Sequence, residues 1–306
     1  MLIMLAAALF IFVNEHYMKW DFVPTSADIV HFFGGGAKPY VKPLDNEAAV
    51  YFIDVGQGDS ELISTKNCNI LIDCGENDFA GDVVGFIRYS GITRLDYVIA
   101  THPHSDHIGG MYRVLEEFDV GTVIMPELPV EPETVFYKKM MNVIHRKNIN
   151  LEYSQPGKIY EIAEKTSLEI IAPVYNGYEE LNNVSVMARF THGENSFLFT
   201  GDTESLAELD ILDNGIDVRA DVYKVAHHGS AGSNSLAFLE KVKPKIAVIE
   251  VAELNDYGHP RPEVLERLVR VGCNQLYTTA AEGNIAIISD GATLRVQTEK
   301  EEREAA

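Results

Sequence analysis

Short apolar runs that end in turn-forming residues alternate with amphipathic stretches along the first half of the chain. Runs of this kind are typical of buried strands, whereas apolar residues at intervals of three and four indicate helices. The predicted strands are 50–53, 61–63, 69–73, 95–100 and 120–125. The predicted helices are 81–91, 109–118 and 133–147.

The β-then-α order occurs again in the second half. Its predicted strands lie within 158–172, with the second at 167–172, within 184–200, at 223–226 and at 284–289. Its predicted helices are 205–212 and one that begins near Pro262. Two such halves indicate an α/β protein, and the periodicity by itself is also compatible with a doubly wound sheet.

The first 13 residues are an uninterrupted apolar run, shorter than the ~20 residues that usually span a bilayer. We therefore interpret residues 1–18 as a signal or membrane anchor and 19–47 as a linker. A folded domain would occupy 48–298, and 299–306 would be an acidic, solvated tail. This division predicts an exported or membrane-anchored domain outside the cytoplasm. No Lys or Arg precedes the run and no clear cleavage site follows it, so a cytoplasmic protein with this segment packed on the domain is the alternative.

Composition describes an ordinary globular protein, with 46% hydrophobic and 23% charged residues. The formal net charge of -21 is more informative, because an acidic surface repels phosphate backbones and argues against broad duplex binding. A bound cation can still attract one phosphodiester locally. The three cysteines are an odd number and form no CxxC pair, so they imply neither a zinc ribbon nor a disulfide framework.

Four potential metal ligands follow directly after the predicted strand 95–100, namely His102, His104, Asp106 and His107. A strand that ends in such a loop brings three imidazoles and a carboxylate to one point at the end of a sheet. These groups suit zinc, manganese or iron, and they exceed what one tetrahedral ion requires. The alternative is a polar loop that happens to be rich in histidine.

This His-x-His-x-Asp-His spacing resembles the signature of the metallo-β-lactamase superfamily. Two further segments, DVGQGD at 54–59 and HHGS at 227–230, narrow the resemblance. Together they are similar to the C-terminal hydrolase domain of ComEC-type DNA-uptake proteins. The similarity covers roughly residues 48–290. It implies a four-layer αββα sandwich with the site where the ends of the two sheets meet.

The resemblance also implies two divalent metal ions, zinc or manganese, with one carboxylate shared between them. Its expected ligands are His102, His104 and Asn183 for one ion, Asp106, His107 and His228 for the other, and Asp202 as the bridge. Asn183 stands where most of the superfamily has a histidine, which predicts a weaker first site that tolerates manganese. His192, the nearest histidine, falls in a predicted hairpin turn and is expected to be exposed.

Neighbouring side chains on an extended segment point in opposite directions, so only one of His227 and His228 can easily bind a metal. We expect His228 to bind it and His227 to support a ligand or face the substrate. Ser230 would hydrogen-bond a phosphate oxygen. The resemblance also implies that the turn 54–59 lines the mouth of the site, with Asp59 near the metal loop and in contact with substrate.

The loop 255–260 precedes a predicted helix and contains Tyr257 and His259. From the subgroup resemblance we expect Tyr257 to contact substrate. His259 would donate a proton to the leaving group or hold a phosphate. The predicted catalytic residues are thus Asp106, His227 and His259.

The expected function is that of a hydrolase that activates a metal-bound water against phosphodiester bonds, including those of single-stranded DNA. Carboxylic ester, lactone or thioester hydrolysis is the alternative within enzymes, since the same kind of site serves both. A non-catalytic module of a membrane DNA-uptake system is the alternative outside enzymes. The sequence leaves the exact substrate and the oligomeric state open.

Overall fold

The computed structural model describes residue 10 and residues 43–305, apart from 129 and 131. Apart from residue 10, the predicted signal or anchor at 1–18 therefore lies outside the described residues, as does most of the linker. Within the described part of the chain, no helix is long and apolar enough to cross a membrane.

The described strands form two sheets. In chain order they are β1 Ala48–Phe52, β2 Glu61–Ser64, β3 Asn69–Ile72, β4 Arg94–Ile99, β5 Asp119–Met125, β6 Asn150–Tyr153, β7 Ile159–Ala163, β8 Thr166–Ala172, β9 Met187–His192, β10 Asn195–Phe199, β11 Val222–Lys224, β12 Ile246–Ile249, β13 Gln275–Thr278, β14 Ile285–Ser289 and β15 Leu294–Thr298. One sheet has the order β15-β14-β1-β2-β3-β4-β5-β6, and the other has the order β13-β12-β11-β10-β9-β8-β7.

Helices cover the outer face of each sheet. They are α1 Ala80–Tyr89, α2 Ser105–Ile108, α3 Met111–Glu117, α4 Val135–Lys147, α5 Ser205–Asp213, α6 Leu236–Val242, α7 Pro262–Arg270, α8 Thr279–Glu282 and α9 Glu299–Ala305. One apolar cluster packs the first sheet against α1, α3 and α4, and another packs the second sheet against α5, α6 and α7. A third lies between the sheets, where Phe52 packs against Phe199. The four-layer αββα prediction is therefore confirmed.

The topology places several chain turns at one edge of the sandwich. Strands β3 to β6 run parallel in the first sheet, and β10 to β13 run parallel in the second. The loops that follow β3, β4, β10 and β11 carry residues 73, 101–107, 200–204 and 225–230. Carboxyl ends of parallel strands are where α/β proteins assemble their sites, and the polar loops of this chain meet there.

Two elements differ from the sequence-based prediction at the end of the chain, namely strand β15 and helix α9. The strand 284–289 is not the last, because Asp290 and Gly291 turn the chain into the antiparallel partner β15. The acidic tail forms helix α9 instead of an unstructured end. This helix is fixed at its start because the Glu299 carboxylate accepts hydrogen bonds from the backbone and side-chain nitrogens of Asn284.

Candidate metal centre

Asp73, directly after β3, holds the His-rich loop in place. The backbone N–H of Thr101 donates to Asp73 Oδ1 at 2.8 Å, and His107 Nδ1 donates to Asp73 Oδ2 at 2.7 Å. Because Nδ1 carries the proton, Nε2 of His107 is left with a lone pair to offer to a metal. Asp73 therefore fixes both the loop and the tautomer of one predicted ligand.

Two acidic and two imidazole side chains converge from three loops, namely Asp106, His107, Asp202 and His228. Each offers one ligand atom, and these atoms lie within 4.8 Å of one another. Asp202 Oδ1 is 3.2 Å from His107 Nε2, and Asp106 Oδ2 is 3.4 Å from His228 Nε2. This is the ligand set that the sequence assigns to the second ion, together with the bridging carboxylate.

His102 and His104 lie on the other side of the same carboxylate. His102 Nε2 is 3.0 Å from His104 Nδ1 and 3.8 Å from Asp202 Oδ2. The two oxygens of Asp202 thus face different histidine sets, as a bridging ligand would require.

His227 and His228 do not lie on an extended segment. Both adopt left-handed backbone angles, with φ of 50° and 51°, inside the short turn Ala226–Gly229. The turn buries His228, whose Nδ1 donates to the Glu250 carbonyl oxygen at 2.9 Å, and leaves His227 partly exposed. The structure therefore orients the Nε2 of His228 towards the cluster by a strained turn and not by strand alternation.

The convergent atoms fit a bound cation. Asp202 Oδ1, His107 Nε2 and His228 Nε2 are buried and have no hydrogen-bond partner within the described chain. Buried polar atoms are normally paired, and those left unpaired call for a missing partner. A divalent ion would satisfy all three at once.

Burial and neighbouring charges shift the pKa values of the side chains in the cluster in opposite directions. Burial alone would lower the pKa of His228, but the carboxylates of Asp202 and Asp59 raise it to about 10. Burial would raise the pKa of Asp202, but His107 and His228 hold it well below its ordinary value. Burial also keeps the pKa of His102 well below the usual range. The carboxylates therefore favour a positive charge on His228, close to where a divalent cation would lie.

Asp59 lies beneath the pocket and does not line its mouth. It is 1% exposed, and its Oδ2 accepts a 2.6 Å hydrogen bond from Lys224 Nζ, which is also fully buried. Its Oδ1 is 3.2 Å from His228 Nδ1. A side chain enclosed in this way supports a predicted ligand and cannot contact substrate directly, so the expectation for Asp59 is corrected.

Asn183 is buried, but its carboxamide is already engaged. Its Oδ1 accepts from the backbone N–H groups of Glu204 and Ala207, both at 3.3 Å, and its Nδ2 donates to Glu204 Oε2 at 3.2 Å. The side chain thereby satisfies donors at the start of α5. The geometry does not support Asn183 as a metal ligand.

A pocket of about 420 Å³ opens over the cluster. Its lining includes Tyr257, His259 and His227, as well as His104, Ser105, Asp106, Asn182, Asp202, His228, Gln57, Pro103, Thr134 and Phe136. Tyr257 stacks on His259 with ring centres 5.6 Å apart, and His259 is 5.7 Å from His227. The structure therefore brings three of the predicted substrate-facing or catalytic side chains to one surface.

Ser230 is not part of that lining, and its Oγ accepts from the Gly232 backbone N–H at 3.3 Å. His192 also departs from expectation, because it is half-buried and its Nδ1 lies 2.8 Å from Ser289 Oγ. The predicted phosphate contact of Ser230 has no support in this arrangement.

Sequence reasoning missed several charged residues around the centre, namely the buried Glu61, Asp73, Lys224 and Glu250 and the half-buried Glu204. A lysine inside the apolar run 222–226 is a signal that could have drawn attention to Lys224, because lysine is rarely fully buried without a partner. The remaining four stand at strand ends or in loops, where polar residues are ordinary.

A comparison with protein families identifies the superfamily of this chain. A model of the metallo-β-lactamase superfamily matches residues 53–250. The chain belongs to this superfamily. Its His-rich loop, Asp202 and His228 all lie within the matched residues.

Relatives of this superfamily member include competence proteins. ComE operon protein 3 of Bacillus subtilis (strain 168) is 30% identical over 254 residues, which are 77% of this chain and 32% of that protein. Competence protein ComA of Neisseria gonorrhoeae is 28% identical over 240 residues, or 76% of this chain and 31% of that protein. The chain therefore spans about a third of the length of these curated relatives.

Solved structures share the metallo-β-lactamase fold at low sequence identity. CmlA, a diiron β-hydroxylase from Streptomyces venezuelae, gives a TM-score of 0.54 at 13% identity over 90% of this chain and 60% of its own. The metallo-β-lactamase fold protein YhfI from Bacillus subtilis gives 0.52 at 11% identity over 82% of this chain and 100% of its own. These similarities show the fold alone, and a fold can carry unrelated chemistries.

Proposed function

We propose that this protein is a metal-dependent hydrolase that uses two divalent cations, zinc or manganese, to cleave phosphodiester bonds. The observation that carries the proposal is the convergence of Asp202 Oδ1, His107 Nε2 and His228 Nε2, all buried and unpaired within the described residues, beneath an open pocket. Superfamily membership supports a metal at this position.

The residues around Asp202 would hold the ions on its two sides. Asp106, His107 and His228 face Oδ1, while His102 and His104 face the side of Oδ2. Two bound ions would supply Lewis acidity towards a phosphoryl oxygen and lower the pKa of a coordinated water.

The chain's own residues would orient the substrate above this centre. Burial and the neighbouring His227 and His228 lower the pKa of His259 to about 4, so its ring is neutral near pH 7. A neutral imidazole donates one hydrogen bond, which suits holding a phosphate oxygen better than protonating a leaving group. Tyr257, at 64% exposed, would contact the ester substituent at the pocket mouth.

Relatives and charge support a nucleic-acid phosphodiester as substrate. The curated relatives include a protein named for competence, and the sequence resembles the hydrolase domain of DNA-uptake proteins. A net charge of -21 disfavours a long duplex footprint, so a single strand that enters by its end fits the molecule better. Export or membrane anchoring through residues 1–18 would place this activity outside the cytoplasm and remains a prediction.

The first test compares bis(p-nitrophenyl) phosphate with p-nitrophenyl acetate, using protein stripped of metal and then supplied with zinc or manganese. Diesterase activity that returns with metal and is lost in Asp202→Ala would support the proposal and lead to single-stranded DNA as the next substrate. Activity on the acetate alone would instead favour carboxylic ester chemistry. Metal binding without turnover of either compound or of DNA would favour a non-catalytic module.

A further inference from the structure

Two adjacent asparagines in the short turn Leu181–Val184 have different surroundings. Asn183 Oδ1 accepts two backbone hydrogen bonds at the start of α5, as described above. Asn182 makes no such contact, although it is only 9% exposed. Most of the superfamily has a metal-binding histidine at this point of the chain. The different surroundings show that Asn182, and not Asn183, has a side-chain oxygen free to take its place.

The orientation of the Asn182 carboxamide is fixed by its neighbour. Its Nδ2 donates to Glu204 Oε1 at 3.1 Å. An ionised carboxylate can only accept hydrogen bonds, so the nitrogen must face Glu204 and the oxygen must face away from it. The Asn182 Oδ1 that results is buried and has no hydrogen-bond partner among the described residues.

Asn182 also lies in the right place. It lines the same pocket as His104 and Asp202, whereas Asn183 is not part of that lining. A buried, unpaired oxygen on a residue that lines the same pocket as two predicted metal ligands is an unsatisfied acceptor that a cation would complete.

We propose that Asn182 Oδ1 is the third protein ligand of the ion held by His102 and His104. This inference rests on the proposed function. The first ion then has three neutral ligands and only the shared carboxylate of Asp202 as a charged one, whereas the second ion has both Asp106 and Asp202. The first ion binds more weakly and leaves first on dilution. Its amide oxygen is a harder ligand than imidazole, which favours manganese.

Glu204 is the positioning residue for this ligand. Its two carboxylate oxygens hold the side-chain nitrogens of Asn182 and Asn183 separately, and Oε1 also lies 3.6 Å from His227 Nδ1. One carboxylate therefore sets the direction of the Asn182 oxygen and lies close to the turn that contains His227.

The experiment is a manganese titration of the metal-free protein, followed by electron paramagnetic resonance of free and bound Mn²⁺. The parent protein is expected to bind two ions. Asn182→Ala should lose the weaker ion or bind it at least tenfold more weakly. Asn183→Ala, the matched control, should keep both ions and lower the melting temperature by loosening the start of α5.

Two results would overturn the assignment. One is an Asn182→Ala protein that binds both ions with the parent affinities. The other is a folded Asn183→Ala protein, with the parent circular dichroism spectrum, that loses one ion while Asn182→Ala keeps both. The proposed function fails separately, if the parent protein binds no divalent ion at all.

Discussion

The buried ion pair between Lys224 and Asp59 offers a direct test of what holds the centre together. Lys224→Met keeps most of the length and apolar volume of the side chain but removes the cation. The carboxylate of Asp59 would then be left 1% exposed, next to two further buried acids, Glu61 and Glu250. Burial and Asp59 already raise the pKa of Glu250 to about 8, which shows how little negative charge this region tolerates.

The expected loss of stability follows from the burial of both partners. Removing one member of a buried pair costs about 3–5 kcal/mol, because the other charge is left uncompensated. For a domain of this size, at about 2–4 °C per kcal/mol, this corresponds to a fall in melting temperature of about 6–20 °C. Adding Asp59→Asn to Lys224→Met should recover part of the lost stability, because it removes the uncompensated negative charge.

Lys245→Met is the matched control, since it breaks a pair with the same chemistry at the surface. Lys245 Nζ lies 2.8 Å from Asp221 Oδ1, but the lysine is 73% exposed. An exposed pair contributes at most about 1 kcal/mol. Urea denaturation and calorimetry of the metal-free proteins would measure both changes. Equal losses in the two variants, or a loss under about 1 kcal/mol in Lys224→Met, would refute the reasoning.

Three further predictions concern the loop and its protons. A Cβ on Gly58 would lie 2.3 Å from the Asp106 carbonyl oxygen, so Gly58→Ala should displace the loop and weaken metal binding at least tenfold. Gly157 has open space around it, so Gly157→Ala should leave metal binding unchanged. Calorimetric titration with Mn²⁺ compares the two variants. In the metal-free protein the raised pKa of His228, about 10, makes the folded state hold a proton that the unfolded state releases above about 6.5. This contribution to stability should be complete below about pH 6.5 and be lost as the pH rises through about 10, and equal free energies of unfolding at pH 6.5 and 10 would contradict it. Metal binding at pH 8 should release protons, which calorimetry in two buffers of different ionisation enthalpy would detect; a binding heat that is the same in both would argue against it.

The strands around the metal loop could be predicted because each is a short apolar run with turn residues after it. The observed β3 and β4 agree with the predicted strands to within one or two residues. The hairpin between β14 and β15 was missed although Asp290-Gly291 is a recognised turn signal between two strand-like segments. In contrast, Ile246–Ile249 is a buried run of four residues, for which periodicity is uninformative.

The candidate site was predictable to the extent that its ligands are contiguous. The spacing of residues 102–107 is visible in the sequence, and the structure brings that loop to Asp202 and His228. The choice between Asn182 and Asn183 could not be read in this way, because it depends on which carboxamide reaches the start of α5. The burial of Asp59 was equally hidden, since its partner Lys224 stands far away in sequence and meets it only after the two sheets pack.

The predicted ligands are divided between the two halves of the chain, and this division sets an order of assembly. The loop 101–107 belongs to the first sheet, while Asp202 and His228 follow strands of the second. A growing chain that has not yet reached residue 202 lacks the shared carboxylate, and one that has not reached residue 228 lacks the last predicted ligand of the second ion. Loading of both ions would therefore follow docking of the sheets, and a bound ion would connect the two sheets. Limited proteolysis should accordingly be slower in the metal-bound protein than in the metal-free protein. The protected cleavage sites should lie in both sheets and not in the histidine loop alone.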